Sequence, residues 1–145
     1  MINLLGTVYL ESMSCPFQTI DRILLEAGQP KIAVLDFHAE ATAEKRAMGF
    51  YLDGRISVVA GTHTHVQTAD AFIFPPGCGY LTDLGMTGPI ESVLGVKPEL
   101  AIAKMKNKLP VRFENASGPC MLNAALFCID DQTGHTLDIK RLDIR

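Results

Sequence analysis

Three of the four histidines in this 145-residue sequence come directly after apolar runs that have the composition of buried strands. His38 follows the run KIAVLDF, and His63 and His65 follow RISVVAG within the box GTHTHVQTAD. Imidazole nitrogens bind first-row metals such as zinc, iron, manganese and nickel. A single buried histidine is more often a hydrogen-bonded core residue, so a metal site requires that the fold bring these three side chains together.

The segments around the histidines predict how the chain places them. Apolar runs and helical periodicity predict strands at 2–10, 31–37 and 55–61, and helices at 16–27 and about 41–53. This alternation is typical of parallel strands in a layered α/β fold. Because ligands collect at the carboxyl ends of parallel strands, His38 is expected to share one cleft with His63 and His65.

Side-chain directions follow from the same periodicities. Residues i and i+2 of an extended segment face the same way, so His63 and His65 are expected to point together. The fourth histidine, His135, is expected to be a surface residue of a terminal hairpin. The buried stripe of the second helix is expected to consist of Ala43, Ala47, Phe50 and Tyr51.

Four acidic residues lie near the same predicted strand ends: Asp36, Glu40, Asp70 and Asp83. A carboxylate beside a metal-bound histidine often orients the ring through its second nitrogen, and Asp36 is two residues before His38. A carboxylate in such a position is more often a solvated loop charge or a helix-start carboxylate than part of a metal site. Glu40 also fits as a favourable charge at the start of the following helix.

The rest of the chain predicts a second, β-rich region. Short strands are expected at 66–74 and 78–82, helices near 89–94 and at 98–107, and β-structure at 109–116, 119–130 and 135–144. The turn DDQTG predicts that the last two segments form a hairpin. The glycines of DLGMTGP predict a close backbone approach to a phosphate, a metal site or another loop. The expected fold is a partial α/β layered sandwich in one domain, residues 1–145.

Composition limits the partners and the compartment. The net charge of −3 and the absence of a basic block argue against a large nucleic-acid partner. No apolar stretch approaches a membrane span, and the N-terminus has no signal-peptide pattern. The cysteines Cys15, Cys78, Cys120 and Cys128 form no CxxC motif, and most, Cys128 for instance, are expected to be buried. A reduced, cytoplasmic setting follows.

Other histidine-metal proteins fit the sequence less well. Metal-dependent amidohydrolases use H-x-H after a strand, but their barrel needs about 250 residues. Cupins also use H-x-H, but they are all-β, whereas two helices are expected here. A structural zinc site of His63, His65 and Cys78 remains open, although its spacing is not that of a zinc finger.

The segments LDFHAEATAEKRAMGFYLDGRISVVAGTHTHVQTAD, YLTDLGMTGPIESVLGV and LPVRFENA together resemble the YmdB-like branch of the calcineurin-like metallophosphoesterases. The resemblance covers nearly the whole chain. It implies a two-metal phosphoesterase, with iron or manganese as the expected metals, that hydrolyses small phosphodiesters such as cyclic nucleotides. By motif, His38 and His63 resemble ligands of one metal, and His65 resembles a ligand of the other.

The family pattern also contains residues that this sequence lacks. In the family, the first half of the catalytic domain supplies an aspartate, a bridging glutamate and an asparagine ligand, followed by a histidine that acts as general acid. No GD motif follows the first strand here, and G-N-H does not occur. The chain is therefore expected to be the second half of that domain, with no catalytic general acid of its own.

A half-domain has predictable consequences. Without an anionic bridge, two divalent cations 3.5–4 Å apart repel strongly, so we expect one metal or none and little hydrolysis from the chain alone. A complementing N-terminal half or a second copy is the expected protein partner, and a homo-oligomer is predicted. The alternative is a non-catalytic half-domain that folds and self-associates.

Overall fold

The computed structural model describes residues 1–10 and 14–145. Within them the strands, numbered in chain order, are β1 Ile2–Leu5, β2 Val34–His38, β3 Val58–Thr62, β4 Phe72–Ile73, β5 Gly79–Leu81, β6 Thr87–Pro89, β7 Cys120–Ile129 and β8 Thr136–Ile144. The helices are α1 Pro16–Glu26, α2 Thr42–Leu52 and α3 Pro98–Asn107. The predicted alternation of strands and helices in the first part of the chain is confirmed.

The first sheet has the strand order β1-β2-β3-β5-β4. The strands β1, β2, β3 and β5 are parallel to their neighbours, and β4 runs antiparallel to β5. Alternate residues of β2, Leu35 and Phe37, are fully buried against the helical layer, where Ile20 of α1 and Met48 of α2 belong to the same core cluster. The α/β class predicted from the sequence is therefore correct.

The second sheet is antiparallel, in the order β6-β7-β8. The predicted hairpin of β7 and β8 is present, and the Asp130 carboxylate shapes its turn by accepting hydrogen bonds from the backbone N–H groups of Gln132 and Thr133, at 2.8 Å each. Thr136 connects the two sheets, because its hydroxyl donates to the Ser57 carbonyl at 2.7 Å. His135 is exposed, as predicted.

A gap of about 300 Å³ separates the two sheets on the side of the first sheet that faces away from the helices. Val34 and Val58 line it from the first sheet, and Ala125 and Phe127 line it from β7. The strand β1 next to it has a hydrogen-bonded neighbour on one side only, β2, within the described part of the chain. Apolar surface and an open strand edge therefore occur side by side.

Three local predictions were wrong. The strand predicted at 66–74 is only Phe72–Ile73, because the preceding residues form a loop whose polar groups bond to the 82–85 segment. No helix forms at 89–94: Pro89 ends β6, and the chain then turns, since Leu94 and Gly95 both have positive φ and reverse it into a bridge between Val93 and Val96. The segment 109–116 has only an isolated bridge, through Asn115.

The placement of the cysteines also differs from expectation. All four are free, and Cys78 is buried, but Cys15, Cys120 and Cys128 are exposed. Cys128 was expected in the core because it lies in an apolar run. It is exposed because β7 alternates, and its outward residues face no further layer in the described chain. None of the helices described is long and apolar enough to cross a membrane.

Candidate metal centre

The pairing of β2 and β3 brings His38 and His63 together. His38 is in register with Thr62, the last residue of β3, so His63 begins the loop beside it. The Nδ1 atom of His63 lies 3.2 Å from Nε2 of His38, and the ring centroids are 5.0 Å apart. The predicted convergence of these two histidines at the carboxyl ends of neighbouring strands is present in the structure.

The outer nitrogen of each ring has its own partner. His38 Nδ1 lies 3.0 Å from the Thr62 hydroxyl, which donates its proton to Asp36 at 3.1 Å. The hydroxyl oxygen is thereby free to accept from His38 Nδ1–H. His63 Nε2 contacts the carboxylate of Glu40. Metal-binding histidines characteristically have their second nitrogen engaged in this way, by a hydroxyl, carbonyl or carboxylate.

In one tautomer of each ring, these contacts leave a lone pair on both of the facing nitrogens. If Nδ1 of His38 and Nε2 of His63 carry the protons, then Nε2 of His38 and Nδ1 of His63 face each other unprotonated. Two lone pairs at 3.2 Å repel unless a proton or a cation lies between them. Two nitrogens bound at about 2.1 Å to one tetrahedral metal ion are about 3.4 Å apart, so the spacing fits a shared ion.

Asp36 acts on His38 through Thr62 and not directly. Its Oδ1 accepts from the Thr62 hydroxyl, and its Oδ2 accepts from the Asn3 side-chain amide at 2.8 Å. A polar chain therefore crosses the three neighbouring strands β1, β2 and β3 and ends at the His38 ring. Asp36 was predicted to orient the ring, and the structure shows that the contact requires the hydroxyl as an intermediate.

His65 has separate surroundings. Its Nδ1 lies 3.2 Å from the Leu94 carbonyl and donates to it, which leaves Nε2 free. The expectation that His63 and His65 point together is wrong, because β3 ends at Thr62 and the φ angles of 140° at His63 and 62° at His65 break the alternation. No group of three or more His, Cys, Asp or Glu in residues 1–10 and 14–145 is close enough to enclose a metal.

A buried ion pair lies beneath the loop of residues 63–71 between β3 and β4, called here the histidine loop. Lys45 Nζ is 3.0 Å from Asp83 Oδ2, and the two side chains are 1% and 0% exposed. The same carboxylate accepts hydrogen bonds from the backbone N–H of Thr64 at 2.8 Å and of Gly85 at 3.0 Å. The pair therefore connects helix α2 to the backbone between the two histidines of the box.

The hydrogen bonds to Asp83 keep its carboxyl ionised. Burial by itself raises the pKa of Asp83, but the donated hydrogen bonds of Thr64 and Gly85 and the ammonium of Lys45 outweigh it and bring the pKa below its usual value. Asp70 is exposed and has a different role, because it accepts hydrogen bonds from the hydroxyl and backbone N–H of Thr82. Neither carboxylate contacts an imidazole.

The sequence did not reveal Lys45. Its helix was expected to bury Ala43, Ala47, Phe50 and Tyr51, but the buried residues are Glu44, Lys45, Met48, Gly49 and Leu52. Two charged residues occupy the inward face, so apolar periodicity assigned the wrong face. The buried lysine also requires a glycine above it, because a Cβ atom on Gly61 would lie 2.9 Å from Lys45 Cδ and 1.9 Å from the Thr82 carbonyl oxygen.

The close approach predicted for DLGMTGP occurs at Gly85. A Cβ atom there would lie 2.9 Å from the backbone nitrogen of Gln67 and 2.7 Å from Asn123 Oδ1, and the φ angle is 85°. The partner is therefore the histidine loop and strand β7. Gly88 makes no comparable approach, since a Cβ atom on it would lie 3.9 Å from its nearest neighbour, the Met86 side chain.

The structure excludes the zinc site that would include Cys78. Cys78 precedes β5, whereas His63 follows β3, and these two strands are parallel with Val58 opposite Gly79. The cysteine therefore lies at the opposite end of the sheet from the histidines. Burial raises the pKa of the Cys78 thiol to about 12, so it stays protonated at neutral pH.

A family model described as "YmdB-like protein" matches residues 1–142, and the chain belongs to this family. The resemblance found in the sequence motifs is confirmed. A 2′,3′-cyclic-nucleotide 2′-phosphodiesterase of Bacillus subtilis (strain 168) is 49% identical over 144 residues, which are 98% of this chain and 54% of the relative.

Two solved structures also match nearly the whole of this chain. A hypothetical protein from Thermus thermophilus has a TM-score of 0.91 and 36% identity, and the match covers 97% of this chain and 55% of that one. A structure described as a novel phosphatase, from Mycoplasma pneumoniae, has a TM-score of 0.91 and 37% identity, covering 99% and 52%. The chain spans about half the length of these relatives.

We predict that Lys45→Met lowers the free energy of unfolding by about 3–5 kcal/mol, because it leaves the Asp83 carboxylate buried without its counter-ion. Chemical denaturation measures the change. The matched control is Lys106→Met on the exposed face of α3, which should stay within about 0.5 kcal/mol of the wild type.

Removing the charges of both Lys45 and Asp83 gives a second test of the ion pair by chemical denaturation. The double variant Lys45→Met/Asp83→Leu should be more stable than Lys45→Met alone, since no unpaired charge remains. If Lys45→Met unfolds no more easily than the Lys106→Met control, the ion pair does not have the structural role assigned to it.

Proposed function

We propose that this chain contributes histidine ligands to a metal-dependent phosphodiesterase that acts on small phosphodiesters such as 2′,3′-cyclic nucleotides. The observation that carries the proposal is the His38–His63 pair, whose facing nitrogens are 3.2 Å apart while their outer nitrogens are engaged by Thr62 and Glu40. Membership of the YmdB-like family and the activity named for the Bacillus subtilis relative support it.

The residues would have distinct roles in such a site. His38 and His63 would hold one divalent ion, for which iron or manganese is proposed, and His65 would contribute to a second through its free Nε2. Thr62, supported by Asp36, and Glu40 would keep the two paired rings in the required orientation. A bound divalent ion polarises phosphoryl oxygens and lowers the pKa of a bound water.

The charge of the site limits how many metal ions the 145-residue chain can hold by itself. Imidazoles carry no negative charge, so the half-exposed Glu40 is the one anionic group among the described residues in contact with the histidine pair, and it provides little negative charge to hold two cations close together. We therefore propose at most one weakly bound metal and little hydrolysis for this chain alone. The relatives are about twice as long, and a complementing segment of that kind is proposed to supply the remaining ligands and the general acid.

Metal analysis tests the proposal. After dialysis against manganese, the chain should retain at most one ion. Loss of the hydrogen-bonding partner of a metal ligand weakens metal binding by about 10- to 100-fold. Because His63→Ala removes a ligand itself, it should weaken manganese binding by more than this. The exposed His135→Ala is the matched control and should bind like the wild type. Equal metal retention by all three proteins would contradict a His38–His63 site.

Hydrolysis of 2′,3′-cyclic AMP is measured on the same samples. Turnover should be low in the 145-residue chain and should be lost in His63→Ala. Two tightly held metals with fast turnover in the chain alone would contradict the proposed dependence on a complementing segment.

The second candidate function is a non-catalytic half-domain that self-associates. The gap of about 300 Å³ between the sheets, together with the open edge of β1, favours association with a second copy. If this is the whole function, His38→Ala and His63→Ala change neither activity nor metal content. A cytoplasmic setting and the lack of a large nucleic-acid partner stay predictions for both candidates.

We predict that the chain forms a homo-oligomer at micromolar concentration, measured by light scattering. Leu5→Lys, which places a charge on the 42% exposed end of the β1 edge, should shift the equilibrium toward monomer. Ile102→Lys on α3 is the control, with its side chain 58% exposed and distant in sequence from the edge. A monomeric wild type would contradict the prediction.

A further inference from the structure

A cavity of about 330 Å³ opens next to His65. One wall is the histidine loop, with His65 and Gln67, and the other is the second sheet, with Asn123 and Arg141. Its volume is at the lower end of the range of small-molecule sites, roughly 300–1,000 Å³. His65 lines the cavity, and its Nε2 is free because the ring bonds to the Leu94 carbonyl through Nδ1.

Arg141 is the charged group in this cavity that lacks a carboxylate partner. Its Nη1 donates to the Thr68 carbonyl at 3.1 Å, and no ion pair to it occurs within the residues that the structure describes. The neighbouring Arg145, by contrast, is paired with Asp143 at 3.2 Å. A guanidinium has five N–H donors, so most of those of Arg141 remain available to a ligand.

The walls of the cavity are fixed by the fold. Arg141 is in register with Ala125 in the middle of the β7–β8 ladder. The side chain of Gln67 donates to the Ala124 carbonyl at 2.9 Å and so attaches the histidine loop to β7. Asn123 is fixed in turn, because its backbone N–H donates to the Met86 carbonyl at 3.1 Å. Arg141 and His65 are therefore held on facing walls before any ligand binds.

We propose that this cavity is the substrate-recognition subsite of the phosphodiesterase, and that Arg141 binds the phosphate oxygens of a nucleotide held there. The inference rests on the proposed function and adds the residue that recognises the anion. A guanidinium fits phosphate because two parallel N–H groups can bind two oxygens. The ligand class is a nucleoside monophosphate or a cyclic nucleotide, whose sugar and base would occupy the remaining volume beside Gln67 and Asn123.

Binding is measured on the metal-free chain, because this separates the subsite from the metal centre. The full 145-residue chain is treated with EDTA, dialysed and titrated calorimetrically with 2′,3′-cyclic AMP. Arg141→Gln should raise the Kd by about ten- to a hundredfold, as expected for the loss of hydrogen bonds to a charged group. The matched control is Arg112→Gln, which removes an exposed arginine outside the cavity and should leave the Kd unchanged.

Two further titrations, with adenosine and with inorganic phosphate, make the result specific. Adenosine should bind at least tenfold more weakly than the cyclic nucleotide, and so should inorganic phosphate. Adenosine binding as tightly as the nucleotide would overturn recognition of the anion. Inorganic phosphate binding equally tightly would overturn the nucleotide assignment. Failure of the wild-type chain to bind 2′,3′-cyclic AMP at millimolar concentration, or an Arg141→Gln Kd equal to that of the wild type, would overturn the subsite.

Two further variants distinguish failure of the subsite from instability of Arg141→Gln and from failure of the metal site. Arg141→Lys keeps the charge but loses the paired donors, so it should bind several-fold more weakly even if Arg141→Gln is too unstable to measure; wild-type affinity in Arg141→Lys would overturn the bidentate contact. In metal-free His63→Ala the Kd should be that of the wild type. Failure of the metal proposal therefore shows in metal content, and failure of the subsite shows in Arg141→Gln.

Discussion

The buried ion pair of Lys45 and Asp83 is the interaction on which the rest of the site depends. Removing two charges from water is costly, and the cost is offset only when every hydrogen-bonding group is satisfied. Asp83 meets this condition with the ammonium of Lys45 and the backbone N–H groups of Thr64 and Gly85. One carboxylate thus joins helix α2, the histidine loop and the segment after β5.

The strain in the histidine loop makes this attachment necessary. His63 and His65 both have positive φ angles, which non-glycine residues adopt at a cost of about 1–3 kcal/mol each unless their surroundings hold them. The hydrogen bond from Thr64 to Asp83 fixes the peptide between them. As a result, one ring turns toward His38 and the other toward the Leu94 carbonyl. The loop thereby places two potential ligands in two different environments.

The sequence predicted the parts of this arrangement that depend on repeating patterns. Alternating strands and helices implied parallel neighbours, and this was sufficient to place His38 beside His63. The turn DDQTG likewise identified the terminal hairpin. Such features follow from local chemistry and from the rules of parallel sheets, which hold along the whole length of an element.

Features that depend on a single long-range contact were not predictable. Lys45 is buried because its partner Asp83 comes 38 residues later, and apolar periodicity counted it as outward-facing. The directions of His63 and His65 differ because both residues after β3 adopt positive φ angles, which no residue pattern predicted. Cys128 is exposed because β7 has no layer outside it in the described chain, which only the assembled sheets reveal.

A metal ion shared by His38 and His63 is best tested by imidazole ¹⁵N NMR during a titration with Zn²⁺, a diamagnetic substitute for iron or manganese. We expect Nε2 of His38 and Nδ1 of His63 to shift together as one equivalent binds, while Nδ1 of His38 and Nε2 of His63 stay protonated. Shifts at the opposite nitrogens, or no shift at either ring, would contradict a shared ion between the two histidines.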